Sequence, residues 1–148
     1  MRLEIESPGS PAVAPAATAA GAALATTPAA HIRRARQNLS SGQLDAAETE
    51  FRAALAADPP NAAAHLGLGE VDRRRGKLDD AVKELQSSLQ ARDSAFVRTM
   101  LAKVYLDQKK FDLARTEAEH ALKLAPNYTE AKVLLEHLQS SKPAGSKP

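Results

Sequence analysis

A pattern of residues that recurs every 33 or 34 positions runs through most of this 148-residue sequence. Its middle copy contains the stretch from Leu66 to Leu89, in which Gly76 separates two short amphipathic helical patterns. Helices this short bury too little apolar surface to be stable alone, so each copy needs neighbours to pack against. The repeat therefore predicts an all-α fold in which helical hairpins stack on one another.

Aligning the sequence with itself shows that small or apolar residues recur where neighbouring helices would pack, and that glycine recurs where a helix would end. The matched sets are Ala35, Gly69 and Ala102; Leu44, Leu78 and Phe111; Ala47, Ala81 and Ala114; Leu55, Leu89 and Leu122; and Gly42, Gly76 and Lys109. Proline also stops the second helix of two copies, at Pro59 and Pro126. Each copy is therefore predicted to be one helix–turn–helix unit.

These sets resemble the tetratricopeptide repeat, a helical hairpin of about 34 residues. The resemblance places three copies at residues 28–61, 62–94 and 95–128, and it identifies residues 129–139 as the extra helix that often follows the last repeat. It implies a right-handed α-solenoid of three hairpins with a C-terminal capping helix.

Six residues depart from the family pattern. Histidine or arginine replaces the usual large apolar residue early in each first helix, two polar residues in the first copy occupy inward-facing positions, and a serine replaces an alanine. These residues are His31, His65, Arg98, Arg34, Asn38 and Ser88. Because of them, and because a terminal repeat lacks one neighbour, the first helix is predicted to be loosely held.

The two ends of the chain have compositions unsuited to a core. Residues 1–27 are rich in Ala and Pro and predict a disordered arm, either a tether to a further segment or an inert tail; a mis-assigned start containing a weak secretory signal is a further alternative. Residues 140–148 predict a disordered tail. No run of about 18 apolar residues occurs, so no membrane span is predicted. We expect a cytoplasmic location, and the frequent Ala and Arg hint at a GC-rich bacterial genome.

The charge pattern does not favour nucleic acid. Twenty basic and 18 acidic residues give a net charge of +2, a mild bias. The run from Arg73 to Arg75 lacks interleaved aromatic residues that could stack on bases, and cations in the last turn of a helix complement its dipole. Nucleic acid is therefore not expected as a partner.

No pattern in the sequence predicts catalysis. Cysteine is absent, and neither a metalloprotease motif, a glycine-rich phosphate loop nor a nucleophile elbow occurs. His31 and His65 occupy the same repeat position, so they should lie about 10 Å apart, too far to share a zinc ion. We expect no enzyme activity, no metal and no cofactor.

The resemblance implies a concave groove, lined by the first helix of each copy, that binds a protein or peptide. The residues carried over are Arg33, Arg36, Leu66, Glu70, Arg73, Arg74, Phe96, Met100 and Lys103. With the other groove positions, which include Ile32, Gly67, Thr99 and Asp107, they give five basic and two acidic residues, and they favour a peptide of acidic character.

Two alternatives bear on this interpretation. The residues of the two-carboxylate clamp that binds the C-termini of heat-shock chaperones in one subfamily are absent, so chaperone tails are not expected ligands. A purely structural role is the other possibility, in which Leu134, Leu135 and Leu138 of the last helix dock on a second copy to form a homo-oligomer.

Overall fold

Seven α-helices account for most of residues 26–141, the part of the chain that the computed structural model describes, and no strand occurs in that range. The helices are α1 Pro28–Ser40, α2 Leu44–Ala57, α3 Ala62–Arg74, α4 Leu78–Ala91, α5 Ala95–Asp107, α6 Phe111–Leu124 and α7 Thr129–Ser140. The all-α prediction is confirmed, and the helices α1–α2, α3–α4 and α5–α6 form successive antiparallel pairs.

The predicted arm and tail fall almost entirely outside the described residues. Thr26 and Thr27 are the only described residues of the arm, and Thr27 caps α1 by accepting a hydrogen bond from the amide of Ala30 at 3.2 Å. At the other end, Ser140 is the last residue of α7 rather than the first residue of the tail. No helix between residues 26 and 141 is both long and apolar enough to cross a bilayer.

The turn inside each hairpin has the same left-handed backbone in all three copies. Gly42 and Gly76 have φ of 77° and 76°, and Lys109 takes the equivalent place with φ of 63°. In each case the next residue donates its amide to a carbonyl five positions earlier at 2.8 Å, as Gln43 does to Asn38. In the third copy, a lysine thus adopts a backbone conformation that glycine adopts more readily.

Within each hairpin, the helices cross at the small residues that recur in the sequence. Ala47, Ala81 and Ala114 are completely buried. A Cβ on Gly69 would lie 2.8 Å from Leu85 Cγ, closer than side chains normally approach. The recurring small residues therefore permit the close packing of the two helices, as the repeat predicted.

The histidine or arginine early in the first helix of each copy makes the same kind of contact in all three copies. Each pairs with a glutamate on the second helix of its hairpin: His31 Nδ1 with Glu50 at 2.6 Å, His65 Nδ1 with Glu84 at 2.7 Å, and Arg98 Nη1 with Glu117 at 2.8 Å. Ser88 is also satisfied, since its hydroxyl donates to the carbonyl of Ala62 at 2.8 Å. These contacts therefore join the two helices within each hairpin.

The first helix is held by both its apolar face and its polar residues. Ile32 and Ala35 are buried in a cluster that includes Phe51 and Val71, and Arg34 Nε donates to Glu50 at 3.1 Å. The prediction that α1 is loosely held does not agree with these contacts, because Arg34 is paired across the hairpin.

The last helix covers the end of the core. Leu134 and Leu138 are 7% and 1% exposed and belong to the cluster formed with α4, α5 and α6, and Leu135 packs against the same cluster. Of the three leucines suggested for docking on a second copy, Leu134 and Leu138 thus belong to the chain's own core, and Leu135 is partly buried against it. Val133, 57% exposed, is the large apolar residue that α7 presents outward.

Candidate binding groove

A groove of about 480 Å³ opens on the surface formed by α1, α3 and α5, with α7 at one end. Four kinds of position contribute: an apolar wall, a glycine, an aromatic residue reaching up from α2, and a charged rim. The lining residues are Arg36, Leu39, Phe51, Ala63, Leu66, Gly67, Glu70, Arg73, Phe96, Met100, Lys103 and Glu130.

The floor of the groove is built from Phe51 and Gly67. Phe51 belongs to α2, is 1% exposed, and lies with its ring against the backbone of α3. A Cβ placed on Gly67 would come within 2.1 Å of Phe51 Cζ. Because no side chain can fit between them, glycine at position 67 allows the phenyl ring to reach the groove from the layer behind it.

Apolar side chains line both walls. Leu66 and Met100 are partly buried and pack against the core cluster, whereas Phe96 is 46% exposed. A thioether beside an exposed aromatic ring makes an adaptable apolar surface. This part of the groove can therefore accept an apolar side chain without first exposing the core.

Most charges at the rim are already paired. Arg73 Nε donates to Asp107 at 3.0 Å, and Lys103 donates to Glu130. Arg36 makes no ion pair or hydrogen bond with any residue in the 26–141 range. Three basic and two acidic side chains line the groove, so it is less basic than the sequence predicted.

Glu70, an acidic residue of the groove lining, is only partly paired. One carboxylate oxygen accepts a hydrogen bond from Arg74 Nε at 2.8 Å. The other oxygen is buried and has no hydrogen-bond partner in the described part of the chain, with Arg73 Nη1 at 3.9 Å. The wall of the groove thus holds an acceptor that is incompletely satisfied.

At the far end, α7 supplies a second acidic group. Tyr128 donates its hydroxyl to Glu130 at 2.8 Å. The hydrogen bond from Lys103, and then that from Tyr128, lower the pKa of Glu130. Burial, together with the adjacent carboxylate, raises the pKa of Tyr128 to about 12. The Lys103–Glu130 contact joins α5 to α7 at the point where the groove ends.

Seven of the nine predicted residues line this groove: Arg36, Leu66, Glu70, Arg73, Phe96, Met100 and Lys103. Arg33 is exposed on α1 but lies outside the lining. Arg74 also lies outside it, because Arg74 Nη1 donates to the carbonyl of Leu39 at 2.9 Å. Among the wider groove positions, Ile32 and Thr99 are buried at 8% and 1% exposure.

Sequence reasoning missed Phe51 and Glu130. The signal for Phe51 was present, because Gly67 stands at the repeat position that holds Arg33 and Met100 in the other copies. A glycine there leaves room for a large side chain from the preceding hairpin. Glu130 gave no such signal, since it belongs to α7 and reaches the groove only through the packing of that helix on α5.

The arginine run joins the middle hairpin to its neighbours. Arg73 pairs with Asp107 on α5, Arg74 bonds the C-terminal turn of α1, and Arg75 donates to Glu48 and Asp45 on α2. Arg75 is outside the groove lining. The helix dipole alone therefore does not account for this run, because each arginine reaches a different helix.

Comparison with known proteins identifies the repeat. Two family models described as tetratricopeptide repeat match residues 38–104 and 97–128, together more than half of the chain. No curated protein sequence is significantly similar to it.

Solved structures share the fold at low sequence identity. The first TPR of Spaghetti (RPAP3), bound to the HSP90 peptide SRMEEVD, is 18% identical with a TM-score of 0.72, covering 76% of this chain and 90% of that one. The Yersinia enterocolitica type III secretion chaperone SycD, in complex with a peptide of the translocator YopD, is 20% identical with a TM-score of 0.70, covering 76% and 92%. YrrB, a TPR protein with an unusual peptide-binding site, is 23% identical with a TM-score of 0.72, covering 85% and 66%. The predicted all-α repeat fold is confirmed.

Proposed function

Because the chain belongs to the tetratricopeptide repeat family, we propose that it is a non-catalytic protein-interaction module that holds a peptide in the groove lined by α1, α3 and α5. The family is generally a protein-interaction fold. RPAP3 and SycD, which share the fold, are seen with peptides bound. Within this proposal the chain acts as a scaffold or adaptor and needs no cofactor.

The observation that carries the proposal is the apolar groove above the Phe51–Gly67 floor. Its walls expose Phe96 and part of Met100, which a lone chain leaves in contact with water. Covering such surface is favourable by about 25 cal/mol per Å². An apolar side chain of a bound peptide would therefore provide much of the affinity.

Polar groups at the rim favour apolar peptides that also carry an acidic residue. Arg36 is unpaired within the described range and can bind a carboxylate through its planar fork. Glu70 also lines the groove, but one of its oxygens already accepts a hydrogen bond from Arg74 and the other is buried. The ligand we propose therefore combines an apolar anchor with an acidic residue. Because Arg73 and Lys103 are already paired with Asp107 and Glu130, they contribute less to this preference than Arg36.

Fluorescence anisotropy with short labelled peptides tests this function. The set combines apolar side chains with acidic, neutral or basic ones. Apolar peptides carrying acidic residues should bind, and Phe96→Ser with Met100→Ser should weaken binding at least roughly tenfold, equivalent to about 1.4 kcal/mol.

Phe111→Ser is the matched control, because Phe111 is 39% exposed on α6 and lies outside the groove. It should leave peptide affinity unchanged. Equal losses of peptide affinity in the groove variant and in this control would contradict the proposal. Equal affinity for acidic and basic peptides would contradict the proposed charge preference.

Self-association gains little support from the three leucines that suggested it, since Leu134 and Leu138 are buried and Leu135 is partly buried in the chain's own core. We infer a monomer, in which the polar outer face of α7 closes the array. Sedimentation at several concentrations tests this, and a mass that rises with concentration would restore the alternative. A cytoplasmic location remains part of the proposal and is tested by cell fractionation.

A further inference from the structure

We propose that residues 3–6 of this chain, Leu-Glu-Ile-Glu, occupy the groove when no partner is bound, so that the protein carries its own competing ligand. The inference rests on the proposed peptide-binding function and adds a regulatory step to it. A partner peptide would have to displace the chain's own segment before binding.

The segment has the chemistry that the groove is suited to bind. Leu3 and Ile5 alternate with Glu4 and Glu6. Side chains that alternate along an extended peptide point to opposite sides, so one side of this segment would be apolar and the other acidic. That is the combination which the apolar walls and Arg36 at the rim are suited to bind.

No other stretch of this sequence outside residues 26–141 has the same chemistry. Residues 7–25 contain no charged residue at all. Residues 142–148 contain two lysines and no large apolar side chain. Among the segments that could reach the groove from either end, residues 3–6 alone combine large apolar and acidic side chains.

The residues between the segment and α1 are numerous enough for the segment to reach the groove. Nineteen residues lie between Glu6 and Thr26, and they span up to about 60 Å when extended. The distance along α1 from Pro28 to Leu39 is only about 17 Å. A tether of this length gives an effective concentration on the order of millimolar. Even a segment that binds weakly as a free peptide would therefore occupy the groove for much of the time.

The basic residue of the groove that is unpaired within the described range lies close to the segment in the sequence. Arg36 lies on α1, the helix that follows the tether directly in the sequence. Arg33, one helical turn earlier, is also exposed and makes no ion pair with any residue from 26 to 141. Glu4 and Glu6 would thus meet the groove where Arg36 is free of partners within that range, with Arg33 exposed nearby outside the lining.

Paramagnetic labelling of the full chain tests the contact directly. The sequence contains no cysteine, so Ser7→Cys provides a single site for a nitroxide next to the segment. Amide signals of Leu66, Gly67 and Met100 should broaden strongly, whereas that of Thr116 on α6 should not. Absence of selective broadening at the groove would overturn the proposal.

Paired variants show whether the broadening depends on the segment itself. Adding Leu3→Ser and Ile5→Ser to the labelled chain should abolish it. Adding Val13→Ser and Leu24→Ser, which remove two apolar side chains from residues 7–25, should leave it intact. Broadening that survives loss of Leu3 and Ile5 would refute the assignment.

A mixed sample separates contacts within one chain from contacts between chains. Labelled chains lacking ¹⁵N are combined with unlabelled ¹⁵N chains, and no broadening should occur. Broadening in this sample would mean that the segment docks on a second copy, which contradicts occupation within one chain.

Peptide affinity distinguishes a failure of this inference from a failure of the proposed function. An apolar-acidic peptide should bind the chain carrying Leu3→Ser and Ile5→Ser roughly threefold to tenfold more tightly than the unaltered chain. Equal, measurable affinity for both chains would contradict the inference and leave the function intact. Failure of every peptide to bind either chain would contradict the function itself.

Discussion

His65 of α3 and Glu84 of α4 lie 2.7 Å apart between Nδ1 and Oε2, and the ring's other nitrogen lies 3.0 Å from the carbonyl oxygen of Pro59. The two side chains are 18% and 29% exposed. Because Arg98 and Glu117 make the equivalent contact, a cation or imidazole facing a glutamate is a constant feature of the hairpins.

Removing the glutamate from this pair should destabilise the fold. Glu84→Ala leaves a largely buried imidazole nitrogen without its partner, so we expect a loss of about 1–2 kcal/mol in the free energy of unfolding. His65→Arg should be nearly neutral, because arginine already fills this place in the third copy. Urea denaturation followed by circular dichroism measures both; equal losses would show that the pairing has no role.

The groove floor should be intolerant of even one added carbon. In Gly67→Ala the new Cβ would meet the Phe51 ring at 2.1 Å, so the ring or α3 has to move, and we expect a loss of about 1–3 kcal/mol. Phe51→Leu in the same chain should recover part of that loss by vacating the space. A double variant as unstable as the sum of the two singles would show that the two positions are uncoupled.

Replacing the lysine in the third hairpin turn by glycine should stabilise the fold. Lys109 has φ of 63°, a conformation that is costly for any residue with a Cβ. Lys109→Gly should therefore stabilise the fold by about 0.5–1 kcal/mol. The neighbouring Lys110, with φ of −91°, is the control, since glycine there should destabilise by a similar amount. Thermal melts compare the two, and stabilisation by both would contradict the role of backbone strain.

Stability should fall on the acid side as Glu48 is protonated. The hydrogen bond from Arg75, followed by that from Arg52, lowers the pKa of Glu48 below its ordinary value of 4.5. The unfolded chain therefore binds this proton first as pH falls, so the stabilisation is present above pH 4.5 and is lost as pH drops through the folded pKa.

Glu48→Gln should make the decline in stability below pH 4.5 shallower. Glu119→Gln is the comparison, because Glu119 is exposed on α6 and has no ion pair among residues 26–141. The free energy of unfolding measured at a series of pH values decides the matter. An unchanged slope in Glu48→Gln would show that the Arg75 contact does not couple protonation to folding.

Helix positions could be read from the sequence because their ends are chemically marked. Pro28, Asn61 and Pro126 start or stop helices through backbone effects that act within a few residues, and Gly76 marks a turn in the same way. The first helix of each pair begins at residue 28, 62 or 95, where the three copies were placed, and the last helix, expected over 129–139, is Thr129–Ser140. Local signals of this kind do not depend on how the hairpins are arranged in space.

The site was only partly predictable, because its details depend on contacts between helices. The repeat alignment placed Leu66 and Met100 on the groove side, but it could not show that Arg74 turns towards the carbonyl of Leu39. Nor could it show that Glu130 comes from α7 to pair with Lys103. Charge pairing is a property of side chains distant in sequence, so a count of basic residues overestimated how basic the groove is.

The contacts of the arginine run also fix the order in which the copies can follow one another. Arg73 meets Asp107 at the repeat position that the middle copy itself fills with Arg74. If the middle copy were duplicated in tandem, Arg73 would face another arginine and lose its carboxylate. Although such arrays grow by copying a unit, this unit is no longer interchangeable with its neighbours. A further copy of the middle hairpin could therefore not be inserted directly after it without a compensating change at the position that Arg73 faces.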